Sequence, residues 1–354
     1  MTCSWSVRMK YCVDVKPVGC GILDATSTTP RKEPIMKQRI SAVLFAIGLA
    51  GAAQASACDL TLDSGGDLAA AVTAAPGKKI CLRPGAYVTG PAPLEVPSGT
   101  TIEGLGASMA DVVISAHGSP QKAIGLGSGT MLHNFTLSTG AGGNFGVLAY
   151  HQDRIIIWSL DIVGFQISTG VVGGKGVDIW DTFMRANGIA GNNVADPNLW
   201  ITDSRDVTIL YGQLTGRKDG PGGDGEMAIY NSSNVMIDGA RVIDSGASAI
   251  YLVNCVDCTI KNSVIERPGE WGIDVVQGSQ RFFAENNAVS GANYGGAVFE
   301  TSGGTTATFR SNRFIQNRRL GVGNCNGINA KGGVAGVLST GNISFPSGDL
   351  CAFP

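Results

Sequence analysis

From Ser233 to Gly278 the chain reads SNVMIDGARVIDSGASAIYLVNCVDCTIKNSVIERPGEWGIDVVQG, in which apolar and polar residues alternate in short bursts and the bursts then recur. Alternation with a period of two is the signature of a strand whose successive side chains point to opposite faces. One unit repeats along the chain: an apolar residue followed five positions later by another. The pairs are Leu132/Leu137, Ile157/Ile162, Ile179/Met184, Ile209/Leu214, Ile237/Val242, Ile260/Ile265, Ala284/Val289, Phe309/Phe314 and Leu338/Ile343, and Ile102 opens the series with a poorer match. Successive leading residues are 30, 25, 22, 30, 28, 23, 24, 25 and 29 positions apart. No intervening segment is long and amphipathic enough to be a crossover helix, so each strand must stack on its equivalent one repeat away. Each repeat therefore predicts one coil of a parallel β-helix, about ten in all.

The flanking columns fit that reading. Two residues before the leader stand Val177, Val207, Val235, Cys258, Phe282 and Ala307, on the same inward face. Two residues after it stand Asn134, Ser159, Asp181, Gly239, Asn262, Asn286 and Ser311, the small or polar residues that a tight corner requires. A third strand is expected at Ala228-Ile229-Tyr230, Ala249-Ile250-Tyr251, Gly272-Ile273-Asp274 and Ala297-Val298-Phe299. Ahead of the coils, residues 58–98 hold an alanine-rich stretch closed by Pro76-Gly77 and then a strand, which predicts a short helix capping the open end of the stack.

The ends change the picture. MKQRISAVLFAIGLAGAAQASA, residues 36–57, has a basic start, an apolar run from Ile40 to Ala53 and Ala55-Ser56-Ala57, the pattern of a secretory signal peptide. The run is too short to span a bilayer, so the expectation is export, to the periplasm or outside the cell, without a membrane span. Residues 1–35 show no periodicity and are read as an upstream extension outside the fold. Six of nine cysteines follow the signal: Cys58, Cys81, Cys255, Cys258, Cys325 and Cys351, an even number suited to three disulfides paired in sequence order. A lipid anchor on Cys58 is the alternative for that residue, and zinc at the single CxxC of Cys255 and Cys258 is the weaker one there. With 51 glycines, 15% charged residues and a formal net charge of -2, the chain has no basic stripe for nucleic acid.

The coil pattern, together with PGKKICLRPGAY at Pro76 to Tyr87, resembles the right-handed parallel β-helix superfamily, the pectin-lyase-like fold, over residues 58–354. The resemblance implies an all-β, single-stranded, right-handed solenoid. It also implies an exported protein acting on polysaccharides, as lyases, hydrolases and epimerases of uronate-containing chains do. It carries over no catalytic residue: VDIWD at Val177 to Asp181 is the nearest approach to a pectate-lyase Trp-Ile-Asp-His, in a different order and without the histidine.

The outward residues supply the candidates. Tyr230, Tyr251, Asp274 and Phe299 are expected to form one ladder, preceded in their coils by Glu226, Glu270, Trp271 and Tyr294. Rings beside carboxylates suit a sugar chain, while an aromatic ladder that only braces neighbouring coils is the structural alternative. A second column, one residue after each leader, runs Glu103, His133, Trp158, Trp180, Leu210, Asp238, Lys261, Glu285 and Arg310; its tryptophans call for a cover, either a loop at residues 191–200 or a ligand.

The insertion GRKDGPGGDGE, residues 216–226, gathers Arg217, Lys218, Asp219, Asp224 and Glu226. Lys218 or Arg217 is the candidate base of an elimination and Asp224 and Glu226 the candidate acids, while Asp219, Asp224 and Glu226 are candidate oxygen ligands for calcium. β-Elimination or epimerisation of a uronate polymer is the expected activity. A non-catalytic carbohydrate-binding or surface-structural β-helix is the alternative, and the chain is left as a monomer or homo-oligomer.

Overall fold

In the computed structural model the described residues are 57–354, apart from 91, 119–120, 141, 186–196, 217–224, 301–305, 322, 347 and 354. The expected signal segment, residues 36–57, but for Ala57, and residues 1–35 lie outside them, as do Arg217, Lys218, Asp219 and Asp224.

Every strand pairing is parallel, and the strands stack into a solenoid of about ten coils with three faces. The first face aligns Ile80, Ile102, Leu132, Ile157, Ile179, Ile209, Ile237, Ile260, Ala284 and Phe309, all buried. The second face aligns Tyr87, Ile114, Leu137, Ile162, Met184, Leu214, Val242, Ile265, Val289 and Phe314. These two faces form one 21-stranded sheet, because Met131–Thr139 and Asp153–Val163 run unbroken around their shared corner. An 11-stranded sheet makes the third face. The poor match at Ile102 has a simple cause: the segment after Gly104, with the 3-10 turn Met109–Asp111, separates Ile102 from its second-face partner Ile114.

The corner between the first and second faces is a single residue in the left-handed region. Asn134, Ser159, Asp181, Tyr211, Gly239, Asn262, Asn286, Ser311 and Gly341 occupy it, with φ between 45° and 69°. Asparagine, aspartate and glycine tolerate that conformation best, and this is why the corner was readable. Immediately inside it, a buried ladder of amides runs up the last coils. Asn312 Oδ1 accepts from the backbone N–H of Asn287 (3.0 Å), and Asn342 Oδ1 accepts from that of Asn312 (2.8 Å).

This ladder sets the register of the final coil and corrects the expected pair Leu338/Ile343. With Asn342 fixed in the amide column, Ser339 and Ser344 take the inward positions opposite Phe309 and Phe314. Leu338 and Ile343 are turned outward, 58% and 60% exposed, since a one-residue slip exchanges the two faces of a strand.

The helix Leu68–Ala74 caps the first coils as expected. Asp67 opens it by accepting from the Ala70 N–H (2.9 Å), and Leu68, Ala71 and Val72 are its buried face. Leu68 and Val72 belong to the main apolar cluster. The six cysteines lie in sequence-order pairs, Cys58 with Cys81, Cys255 with Cys258 and Cys325 with Cys351, with Cα separations of 5.7, 6.0 and 6.0 Å. A Cys58 sulfur paired in this way is not open to a lipid, and the Cys255–Cys258 pair takes up the sulfurs that zinc would need. No helix among the described residues is long and apolar enough to cross a membrane.

Candidate functional site

On the third face the expected ladder is rearranged. The strands align Trp200, Ala228, Tyr251, Asp274, Val298 and Asn329 in one outward column. Tyr230 lies two residues along, in the next outward column, between Thr202 and Val253. Its ring still meets Tyr251 edge to face, with centroids 5.9 Å apart. Phe299 does not belong to either column. It aligns with Val275 and is fully buried, its ring stacked on Phe282 at 6.5 Å, so it is a core residue and not a binding residue.

Glu226 is also displaced from the expected surface. It stands where the second face turns into the third, and its carboxyl is buried inside that corner. Asn198 Nδ2 and the Gly246 backbone N–H donate to it, and a side chain at Gly216 would collide with its Oε1. Burial pushes its pKa up to about 7, against the opposing effect of those two hydrogen bonds. A carboxyl enclosed in this way cannot pair with Glu270 across a bound sugar, nor offer itself as a calcium ligand at the surface. Among the described residues no group of three or more His, Cys, Asp or Glu is placed to hold a metal.

What the fold does bring together lies around Asp274. Its neighbours Ile273 and Val275 face the core, so alternation turns Asp274 outward, with Tyr251 on the coil before and Val298 on the coil after. The carboxyl is nevertheless almost fully desolvated, and this drives its pKa up to about 7. Ser248 Oγ donates to Oδ2 (3.0 Å) and opposes that rise, while the nearby Glu270 adds to it. Lys331 acts to lower the pKa and Glu300 to raise it. The second oxygen, Oδ1, is buried with no hydrogen-bond partner among the described residues. Such an orphan acceptor is costly in a folded protein and calls for an explanation. Glu270 is half-buried, and burial raises its pKa too.

Trp271 forms the wall beside this pair. It is buried, its ring lies where a side chain at Gly295 would collide with it, and it meets Tyr294 edge to face at 5.9 Å. Behind it, Asn329 Oδ1 accepts from the backbone N–H groups of Asn324 (2.7 Å) and Cys325 (3.0 Å), which fixes the wall to the Cys325 segment. Of the expected residues, Tyr251, Glu270, Trp271, Asp274 and, one column over, Tyr230 share this region. Ser248, Glu300 and Lys331 complete it and were missed. The pairs Phe299-Glu300 and Ala330-Lys331, each a core residue followed by a charge, were the available signal.

The chain belongs to the right-handed β-helix family: the model described as "Right handed beta helix region" matches residues 124–314. No curated protein matches the sequence. Among solved structures, the fold is similar to the A-module of the mannuronan C-5 epimerase AlgE4 of Azotobacter vinelandii, at 16% identity and a TM-score of 0.51 over 84% of this chain and 100% of that one. It is similar also to the Dettilon tailspike protein gp208, at 12% identity and a TM-score of 0.60 over 78% of this chain and 62% of that one. A third similar fold is the DFA-IIIase of Arthrobacter chlorophenolicus A6, at 13% identity and a TM-score of 0.51 over 78% of this chain and 75% of that one. At these identities the likeness is one of fold.

Proposed function

We propose that the chain is a polysaccharide-active β-helix protein whose third face transfers a proton at C5 of a uronate residue, with β-elimination as the favoured outcome. The reading rests on Asp274, an outward carboxyl with a pKa of about 7 and one unsatisfied oxygen, next to Tyr251 and near a second carboxyl whose pKa is also raised. A general base works best when its pKa lies near the working pH, and burial supplies that tuning here.

In the elimination, ionised Asp274 takes the C5 proton. The electron pair of that C–H bond forms the C4=C5 double bond, the C4–O bond breaks, and the leaving oxygen takes a proton from the Tyr251 hydroxyl. Lys331 is suited to meet the uronate carboxylate, whose negative charge grows as the C5 proton leaves. If instead the electron pair left at C5 is held on the uronate carboxyl group, the C4–O bond stays intact and C5 is reprotonated from the opposite face, the outcome is epimerisation. The epimerase similarity favours a uronate substrate without choosing between these ends.

The paired raised carboxyls also suit hydrolysis, in which Glu270 or Asp274 would protonate a glycosidic oxygen. The test is ultraviolet absorbance of the purified protein mixed with a panel of uronate polymers, with and without added calcium. A rise reports unsaturated uronate and is the expected result. New reducing ends without absorbance would replace elimination by hydrolysis, and intact polymer that is nonetheless bound would leave a carbohydrate-binding β-helix. The calcium arm tests the residue 216–226 loop, whose candidates Arg217, Lys218, Asp219 and Asp224 remain proposals as base and ligands.

A further inference from the structure

The outward side of the first face carries a second feature that the third-face reading does not use. The expected column is aligned as written: His133 pairs with Trp158, Trp158 with Trp180 and Trp180 with Leu210, one coil apart each time. Trp158 and Trp180 are 38% and 36% exposed, and of the loop expected to cover them residues 191–196 lie outside the described residues. Large rings on a solvated sheet face need a reason, because isolated coils gain nothing by showing them to water.

The rings are arranged as a platform. His133 stacks on Trp158 with centroids 4.2 Å apart and planes 15° apart. Burial lowers the His133 pKa, which keeps the stacked imidazole neutral at neutral pH. Trp180 lies 6.4 Å from Trp158 at 68°, edge to face, so the indoles do not stack on each other. Successive coils rise by about 4.8 Å, close to the advance of an extended glycan per pyranose ring. A sugar running along the solenoid axis would therefore meet one side chain of this column per ring.

Asp178 decides what kind of partner fits. It projects from the same face two residues before Trp180, in line with Ile156 below and Thr208 above, and Thr208 donates a hydrogen bond to it. Glu103 and Asp238, at the two ends of the strip, are ion-paired, to Lys79 (2.7 Å) and Lys261 (3.2 Å). Asp178 has no such cation among the described residues. A flat apolar protein surface would bury this carboxylate with too few donors, which is costly. A uronate chain would be repelled by it. A neutral glycan brings both the C–H faces that pack on indole rings and the hydroxyl groups that satisfy a carboxylate.

We propose that the His133–Trp158–Trp180 strip with Asp178 is a second glycan site, non-catalytic, that binds a neutral sugar chain on a face of the solenoid other than the one carrying Asp274. The proposal stands independently of the third-face chemistry, because it concerns other residues and an uncharged ligand.

The experiment is titration of the full chain with neutral hexasaccharides (cellohexaose, xylohexaose, mannohexaose and maltohexaose), followed by tryptophan fluorescence and calorimetry. At least one is expected to bind, and Trp180→Ala and Trp158→Ala are each expected to weaken it about tenfold or more. Near-ultraviolet circular dichroism checks that each variant is folded, and either variant alone suffices. Turnover of uronate polymer by the same variants is expected to stay within about twofold, a margin too small to signal lost transition-state contacts. Absence of binding by every hexasaccharide at low millimolar concentration would overturn the proposal. So would unchanged affinity in both variants, or a self-association of the wild-type chain that Trp180→Ala abolishes.

Discussion

Asp274→Asn is expected to lower the rate of uronate turnover by about 10²- to 10⁴-fold, the range contributed by a single well-placed general base. The amide has the carboxyl's shape and its oxygen can still accept from Ser248 Oγ, so the coil should keep its geometry. What it loses is the ability to take a proton. Because the substrate would still meet Tyr251, Glu270 and Lys331, the loss is expected in kcat with KM changed little, the pattern of an interaction made only in the transition state. Initial rates over a range of polymer concentrations check this. A variant within about threefold of wild type would remove Asp274 from the mechanism. The native protein should also show its rate rising with pH through about 7, as the Asp274 carboxyl ionises.

The second large effect is on stability. Glu226 and Asp274 have ordinary carboxyl pKa values of 4.5 and 3.8, and in the folded chain both are pushed up to about 7 by burial. Between those values and 7 the folded state holds protons that the unfolded state has released, so stability falls as pH rises through this window. Above pH 7 both groups are charged in the interior and the full cost is present. The shifts correspond to roughly 3 kcal/mol for Glu226 and roughly 4 kcal/mol for Asp274 at most. The thermal midpoint is therefore expected to be higher at pH 5.5 than at pH 8. Glu226→Gln should raise the midpoint at pH 8 by several degrees, have little effect near pH 5, and flatten the slope between. Melting curves of the two proteins at the three pH values decide it. A Glu226→Gln variant equally destabilised at every pH would mean that the carboxyl acts as a structural anion, held charged by Asn198 and Gly246.

These two carboxyls also mark where sequence reading succeeds and where it stops. The first-face column from Glu103 to Arg310 was legible residue by residue, because from Leu132 onward a single left-handed corner follows the leader and fixes the count on both sides. The third face lacks such a marker. Segments of different length, among them 186–198 and 216–226, precede its strands, so distance along the chain does not set their register. The repeated letters Ala-Ile-Tyr at 228–230 and 249–251 then suggest an alignment that is false by two residues: Ala228, not Tyr230, lies beside Tyr251.

At Phe299 the error is one residue, and parity carries it from the surface into the core. Glu226 shows a further limit. Alternation predicts a face only within a strand, and a residue at a corner can point inward even when it is charged. Leu338 and Ile343 looked like a leading pair until the amide of Asn342 was seen to hold the coil one step over. In each case a hydrogen bond or a packing contact between coils decided the register, and neither is written in the spacing of apolar letters.

The central claim is that a proton leaves C5 of a uronate on the third face. Proton nuclear magnetic resonance of a uronate polymer incubated with the protein in D2O tests it most directly, since elimination and epimerisation both remove the C5 proton. The account predicts that the C5 signal declines in step with the appearance of either an alkene proton or deuterium at C5, and that Asp274→Asn prevents it. Cleavage with every C5 proton retained, or a polymer left unchanged, would contradict it.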